Sequence, residues 1–536
     1  MRQIYIGGKV YTGELPLKEA FIVEDDKFTA VGNTKEILEC KKDDDEVIDL
    51  DGQFVCAGFN DSHMHLVNFG YSLSMANLSK HTDSMQSVID AMKDFIKEKN
   101  LKPGTWAKGR GWNHDYFTDE KRFPNRYDLD KVSTEHPIVI TRTCGHTCVV
   151  NSKAIEMIGI TKDIPKVEGG RVEVDENGEP NGIFRENAMD LVYSKLPVFD
   201  VEDVKEMILN ASHALNTFGI TSSQTDDLPV FNNVPAEVIL QAYKELAAEG
   251  KMTVRVNQQA QFLNLEDLKK FIADGYNTGW GDKWFRIGPL KMLGDGSLGA
   301  RSAYMSVPYA DDPTTRGIPI FTRQQFVDMV GYAHDHGMQV AIHAIGDGIL
   351  DDILYAYEKA IKENPREDHR HGIVHCQIMR PEQLKKFEEL NLHAYIQSIF
   401  LDYDIHIVED RVGKERAASS YNFKTMYDTV HTSNGSDCPV ELPNVLGGIQ
   451  CAVTRMTLND HIGPYLPKQA LSVKEAIDSF TIEGAHASFE ENVKGKIKEG
   501  MLADFVILDK NPMEVPVDTI KDIKVQGTYV GGIRRV

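Results

Sequence analysis

Short apolar runs of strand length recur along this chain, each opening into a loop at a residue that can ligate or bridge a metal. Phe54-Val55-Cys56-Ala57-Gly58-Phe59 leads into Asn60-Asp61-Ser62-His63-Met64-His65. Gly288-Pro289-Leu290 precedes Lys291, Gln339-Val340-Ala341-Ile342 precedes His343, and Gly372-Ile373-Val374 precedes His375. Asp437 closes the set in Ser433-Asn434-Gly435-Ser436-Asp437-Cys438-Pro439. Two histidines two apart at a strand end point to one side of a sheet, because side chains alternate with period two. Alone, such a pair reads more readily as a polar rim; the recurrence of ligand-type residues at other strand ends points to a shared metal.

After about residue 200, helical and strand signals alternate as in parallel βα units. The helical stretch from Asp203 to Phe218 leads to Gly219-Ile220-Thr221-Ser222-Ser223, and that from Glu237 to Glu249 leads to Met252-Thr253-Val254-Arg255-Val256. Further strands are expected from Trp284 to Met292, Met338 to Ile342, Gly372 to His375, His393 to Ile399 and Thr429 to Ser433. With the strand before His63 this makes eight, which fits an α/β chain closing into a (β/α)8 TIM barrel whose active site lies at the carboxyl ends of its strands.

Two regions fall outside that pattern. Residues 1–53 and 488–536 are strand-like and turn-rich, and they are expected to form one small β-sandwich, leaving 54–487 for the barrel. Between the first barrel strand and the helix near residue 203 lies a stretch too long for a structureless loop. It contains Trp106, Trp112 and the strand-like Pro137-Ile138-Val139-Ile140-Thr141-Arg142. Residues 75–200 are therefore expected to be an inserted subdomain covering the barrel mouth.

The formal net charge of −22 argues against nucleic acid and against an anionic membrane surface. Seven cysteines in 536 residues, without regular spacing, suggest reduced thiols and a cytoplasmic protein. No apolar segment approaches bilayer-spanning length, and the amino terminus lacks a signal-peptide core. A small-molecule substrate is the expected partner, with a homodimer left open.

Together these residues resemble the amidohydrolase superfamily, specifically its amidohydrolase 3, or YtcJ-like, branch of metal-dependent hydrolases. The matching segments are residues 58–65, 291–303, 342–347, 374–377, 435–439 and the tail Gly495-Lys496-Ile497-Lys498-Glu499-Gly500-Met501-Leu502-Ala503-Asp504. Gly145-His146, Asn151-Ser152 and Gly182-Ile183-Phe184-Arg185-Glu186 also match, so the likeness spans nearly the whole chain. One departure is Gln397-Ser398 where the family often has Gln-Pro; it bears on pocket shape.

The resemblance implies a site of two divalent ions, zinc being the expected metal. In that reading His63, His65 and Asp437 hold one ion and His343 and His375 the other. A protonated lysine offers only donors, so Lys291 would join the ions as a carbamate formed with carbon dioxide; the alternative is a salt-bridged lysine, with Asp295 as a candidate partner. Two ions about 3.5–4 Å apart would activate a bridging hydroxide and polarise a carbonyl. Asp437 would shuttle its proton to the leaving nitrogen as the catalytic acid–base, the alternative being a turn aspartate.

Candidate substrate contacts are His146, Trp112 and Arg301, the last reading equally as a structural arginine. His334 and His336 before Gly337 read as a helix end. The expected function is hydrolysis of a carbon–nitrogen bond other than a peptide bond, in an amide, formamide or cyclic amide. A deaminase or an ester or phosphoester hydrolase is the alternative on the same scaffold, and a catalytically silent regulatory subunit the alternative of another class.

Overall fold

The computed structural model describes residues 2–81, 83–142, 147–167, 169–228 and 234–536. They form two compact units, one of residues 1–69 and 201–536 and the other of residues 70–200.

The larger unit is built on eight parallel strands: β1 (Phe59–Met64), β2 (Ile220–Leu228), β3 (Arg255–Gln261), β4 (Phe285–Leu293), β5 (Val340–Ala344), β6 (Gly372–His375), β7 (His393–Ile396) and β8 (Thr432–Asn434). They pair in sequence order, with helices between them, as in a (β/α)8 barrel. The seam between β8 and β1 is joined just beyond β8, where the Asp437 amide donates to the His63 carbonyl at 2.8 Å and the His65 amide donates to the Cys438 carbonyl at 2.8 Å. Gly435 permits this approach, since a Cβ there would stand 2.6 Å from the His63 nitrogen.

The apolar run before His63 does not form the first barrel strand as expected. Phe54–Ala57 pairs instead with Phe505–Leu508 in a terminal sheet, and the barrel strand starts at Phe59. Gly58 makes the handover: a Cβ there would lie 2.2 Å from the Thr221 side chain on β2. β2 and β3 also run further than their apolar starts suggest, through Gln224-Thr225-Asp226-Asp227 and Asn257-Gln258-Gln259. These polar residues are buried, and two of their bonds tie the strands to their surroundings: the Gln258 amide donates to the Thr225 carbonyl at 3.0 Å, and Tyr243 donates to Asp227 at 2.7 Å.

Both chain ends contribute to two further sheets. One contains Arg2–Ile6, Ala20–Glu24, Lys27–Gly32 and Glu46–Asp49; the other contains Lys9–Val10, Phe54–Ala57, Phe505–Leu508, Val525–Val530 and Ile533–Arg534. Their facing sides share an aromatic core in which Tyr5 stacks on Phe21 at 4.7 Å and meets the edge of Phe505 at 5.2 Å. Arg255 at the start of β3 grips Asp504 through two bonds of 2.6 and 2.9 Å, with both side chains almost fully buried. Breaking such a pair leaves an uncompensated buried charge, so Asp504→Ala should cost about 3–5 kcal/mol. Urea unfolding would check this, and a loss below about 1 kcal/mol, typical of an exposed pair, would contradict it.

The smaller unit carries a six-stranded sheet in the order Gly170–Val174, Pro180–Glu186, Thr147–Val150, Ile138–Arg142, Ala107–Trp112, Ala76–Asn77. The helix Met85–Glu98 turns Val88, Ile89, Met92 and Phe95 into a core with Leu78, Ile140 and Trp112. Among the described residues, no helix is long and apolar enough to cross a membrane.

Candidate metal centre

Six polar side chains meet at the carboxyl ends of the barrel strands. His63 is on β1 and His65 just past it, Lys291 lies on β4, His343 on β5, His375 ends β6, and Asp437 follows β8. Asp437 Oδ1 is 3.4 Å from His63 Nε2 and 3.2 Å from His65 Nε2. The donor atoms of these three residues lie within 4.8 Å of one another. The His63 ring is 5.6 Å from that of His375, which is 4.3 Å from that of His343. The backbone is held left-handed at His375 (φ 83°), Cys376 (51°) and Asp437 (58°), the kind of local strain found at functional sites.

The far sides of the rings determine what the near sides offer. His63 Nδ1 is 2.9 Å from Gln259 Oε1, and the Gln259 amide nitrogen donates to the Ser62 carbonyl. That second bond fixes which end of the amide faces the ring, so His63 Nδ1 carries the proton and Nε2 keeps its lone pair. Gln397 does the same for His375, with Oε1 at 2.7 Å from Nδ1 and its nitrogen donating to the Tyr395 carbonyl. His65 Nδ1 donates to the Asp226 carbonyl at 3.0 Å. His343 is reversed: its Nε2 donates to the Gly296 carbonyl at 3.1 Å, leaving Nδ1 unprotonated. Outer partners of this kind orient the imidazoles of metal sites. Asp437 Oδ1 is buried with no conventional hydrogen-bond partner. A divalent cation suits such a donor set.

Electrostatics separates the groups. Burial pushes His375 well below its ordinary value, helped by the neighbouring His343. Burial and the Lys291 charge also lower His63. Burial acts the same way on His65, but the adjacent Asp437 carboxylate outweighs it and raises that histidine to about 9. Burial alone would raise Asp437; the His63 and His65 rings beside it reverse this and hold it well below the usual carboxylate range. Asp61, beneath the site, is raised to about 7 by burial against hydrogen bonds from Ser436 and the His63 amide.

Lys291 pairs with Asp226 of β2 at 3.1 Å, each side chain 1% exposed. Asp295, the partner considered from sequence, is instead occupied by the amides of Tyr304, Ile345 and Gly346. Lysine ammonium and β2 carboxylate thus meet across β3. Asp226 and Gln259 are not among the residues expected at the site from sequence; their available signal is a run of polar residues inside strands that follow amphipathic helices.

The candidate substrate contacts fare differently. Trp112 is fully buried in the core of the smaller unit, edge-on to Phe123 at 5.6 Å, and has no free face for a substrate. The Arg301 guanidinium is held by both oxygens of Asp311, at 3.1 and 2.7 Å, so its fork is taken by the protein. His146 lies outside the described residues. His334 and His336 end the helix Arg323–Asp335 ahead of Gly337 at φ 81°.

Comparison with known proteins gives this arrangement a context. The model of the amidohydrolase family matches residues 46–535. The amidohydrolase-type protein YtcJ of Bacillus subtilis (strain 168) is 31% identical over 540 residues, covering 99% of each chain. The N-substituted formamide deformylase of Arthrobacter pascens is 25% identical, over 96% of this chain and 94% of the relative. Among solved structures, an uncharacterized metal-dependent hydrolase from Pyrococcus horikoshii OT3 superposes with a TM-score of 0.78 at 28% identity, covering 96% of this chain and 99% of that one. These likenesses support a divalent metal. The chain belongs to the amidohydrolase family and is a hydrolase.

Proposed function

We propose that the protein hydrolyses a carbon–nitrogen bond outside peptides, in an amide, formamide or cyclic amide, with divalent metal held at the strand ends. The observation that carries this reading is the set of imidazoles whose far nitrogens are engaged by Gln259, Asp226, Gln397 and Gly296, so that their other nitrogens face the site, together with the buried Asp437 oxygen within 4.8 Å of the His63 and His65 donor atoms and without a hydrogen bond. The name of the Arthrobacter pascens relative, a formamide deformylase, lends support to the bond type.

His63, His65 and Asp437 would hold one zinc-class ion and His343 and His375 a second, with Lys291, carbamylated by carbon dioxide, between them. When bound, the metal supplies Lewis acidity, polarising the scissile carbonyl and activating water. Asp437 Oδ1 takes the proton of the attacking water and returns it to the leaving nitrogen, acting as base and then as acid. Gln261 ends β3 in register with Lys291, and its buried Oε1 has no partner; it accepts the substrate N–H. Gln259 and Gln397 keep the imidazoles oriented. Replacing Gln397 with Leu should weaken metal binding about 10–100-fold, read by titrating the metal-depleted protein; unchanged affinity would remove the glutamine from this role.

A second reading is favoured by the Lys291–Asp226 ion pair. If the lysine stays an ammonium, a single ion at His63, His65 and Asp437 would serve, as in a deaminase.

The bond type is tested with a panel of N-formyl amines, N-acyl amines, cyclic amides, amino-substituted heterocycles, esters and phosphoesters. Highest kcat/KM on the first three classes supports the proposal. Turnover of esters or phosphoesters alone would overturn it.

A further inference from the structure

The other end of the barrel, where the strands begin, carries a histidine cluster that the proposed reaction does not use. His431 stands one residue before β8, and His393 is the first residue of β7. Glu483 and His486 lie three apart on the short helix Ile482–Ala487, which places them on one face. The donor atoms of His431, Glu483 and His486 all lie within 4.8 Å of one another. His431 Nδ1 is 2.8 Å from Glu483 Oε2. Its ring stacks on that of His486 with centroids 3.5 Å apart, and His393 continues the stack inward at 5.9 Å.

Two imidazole nitrogens here are buried without a hydrogen-bond partner, His486 Nδ1 and His393 Nδ1. His393 is almost wholly buried, and its other nitrogen bonds the Ser433 hydroxyl at 2.8 Å. Burial, together with the neighbouring His431 and Arg370, lowers His486 to about 4, so near neutral pH this ring keeps a lone pair. The Arg370 charge beside the cluster is already matched by the carboxylates of Asp368 and Glu491. Glu483 therefore remains to balance a cation.

We propose that His431, Glu483 and His486 form a second divalent-cation site, separate from the one at the strand ends and suited to a zinc-class ion. Two imidazoles and one carboxylate match the ligand preference of such ions. The His431–Glu483 hydrogen bond is the proton-loaded form of the same site. Binding an ion there would release that proton to solvent, as metal binding to protonated ligands does, and would turn the half-exposed His431 ring out of its stack so that both in-plane lone pairs face the ion, joining the helix Ile482–Ala487 to the start of β8.

The test is a calorimetric titration of the metal-depleted full chain with zinc chloride, comparing wild type with His431→Gln and His486→Gln. His431 is half exposed, so its replacement leaves the fold intact, checked by an unchanged Tm of the metal-free form. The expected result is one zinc equivalent fewer per chain in either variant, with kcat of the metal-loaded enzyme unchanged. The same equivalent should survive in a His63→Asn, His65→Asn background, and its cobalt(II) absorption band should vanish with His431→Gln. Equal zinc equivalents and affinity in wild type and His431→Gln, or an equivalent lost only together with activity, would overturn the site.

Discussion

Asp437→Asn should lower turnover by about two orders of magnitude or more, the scale of a general acid–base contribution, while metal content falls less. The substitution keeps a carbonyl oxygen near His63 Nε2 and His65 Nε2 but removes the charge and the ability to carry a proton. The backbone bond from residue 437 to the His63 carbonyl, which joins β8 to β1, is untouched. Kinetics and metal analysis belong together here, because the same oxygen is proposed to do both tasks. Loss of turnover with most of the metal retained assigns Asp437 to proton transfer, whereas unchanged turnover would remove it from the mechanism.

Lys291→Ala should abolish most activity and also destabilise the fold. Its partner Asp226 is equally buried, so removing the lysine strands a charge inside the barrel at a cost of about 3–5 kcal/mol. Adding Asp226→Ala should recover part of that stability and none of the activity, a non-additivity expected of contacting residues. If the lysine serves as a carbamate bridge, bicarbonate or a short carboxylic acid should restore some turnover to Lys291→Ala by supplying oxygens in its place. A fully active Lys291→Ala protein with unchanged metal content would sink the two-metal scheme.

The barrel was legible in the sequence because apolar strand runs alternate with amphipathic helices and because ligand-type residues fall at the run ends. His343 and His375 each sit at the end of such a run. The error at the first strand has a simple origin: Phe54–Ala57 is as apolar as a barrel strand, but it belongs to the terminal sheet, and only the close approach at Gly58 marks the change. Asp226 and Gln259 were illegible for the converse reason. The strands that carry them continue through buried polar residues, and a hydrophobic-run reading ends too early. Gln397 precedes Ser398, the position that departs from the family's Gln-Pro, and its own role is not visible there, because its bond to His375 depends on β6 and β7 being neighbours.

Trp112 and Arg301 show the reverse limit. An aromatic residue and an arginine near a site suggest substrate contacts by type, but type does not reveal a packed core or an intramolecular carboxylate. Trp112 went to the first and Arg301 to Asp311. Asp295 likewise lies close in sequence to Lys291, yet three backbone amides claim its oxygens.

The most direct measurement is stepwise return of zinc to the metal-depleted protein, in a His431→Gln, His486→Gln background, while hydrolysis of an N-formyl amine is followed. The expected result is no turnover without metal and a rate that rises to a plateau at about two equivalents per chain, as a two-metal centre requires. A plateau at one equivalent would contradict the two-metal arrangement, and metal-free turnover at the loaded rate would contradict metal dependence itself.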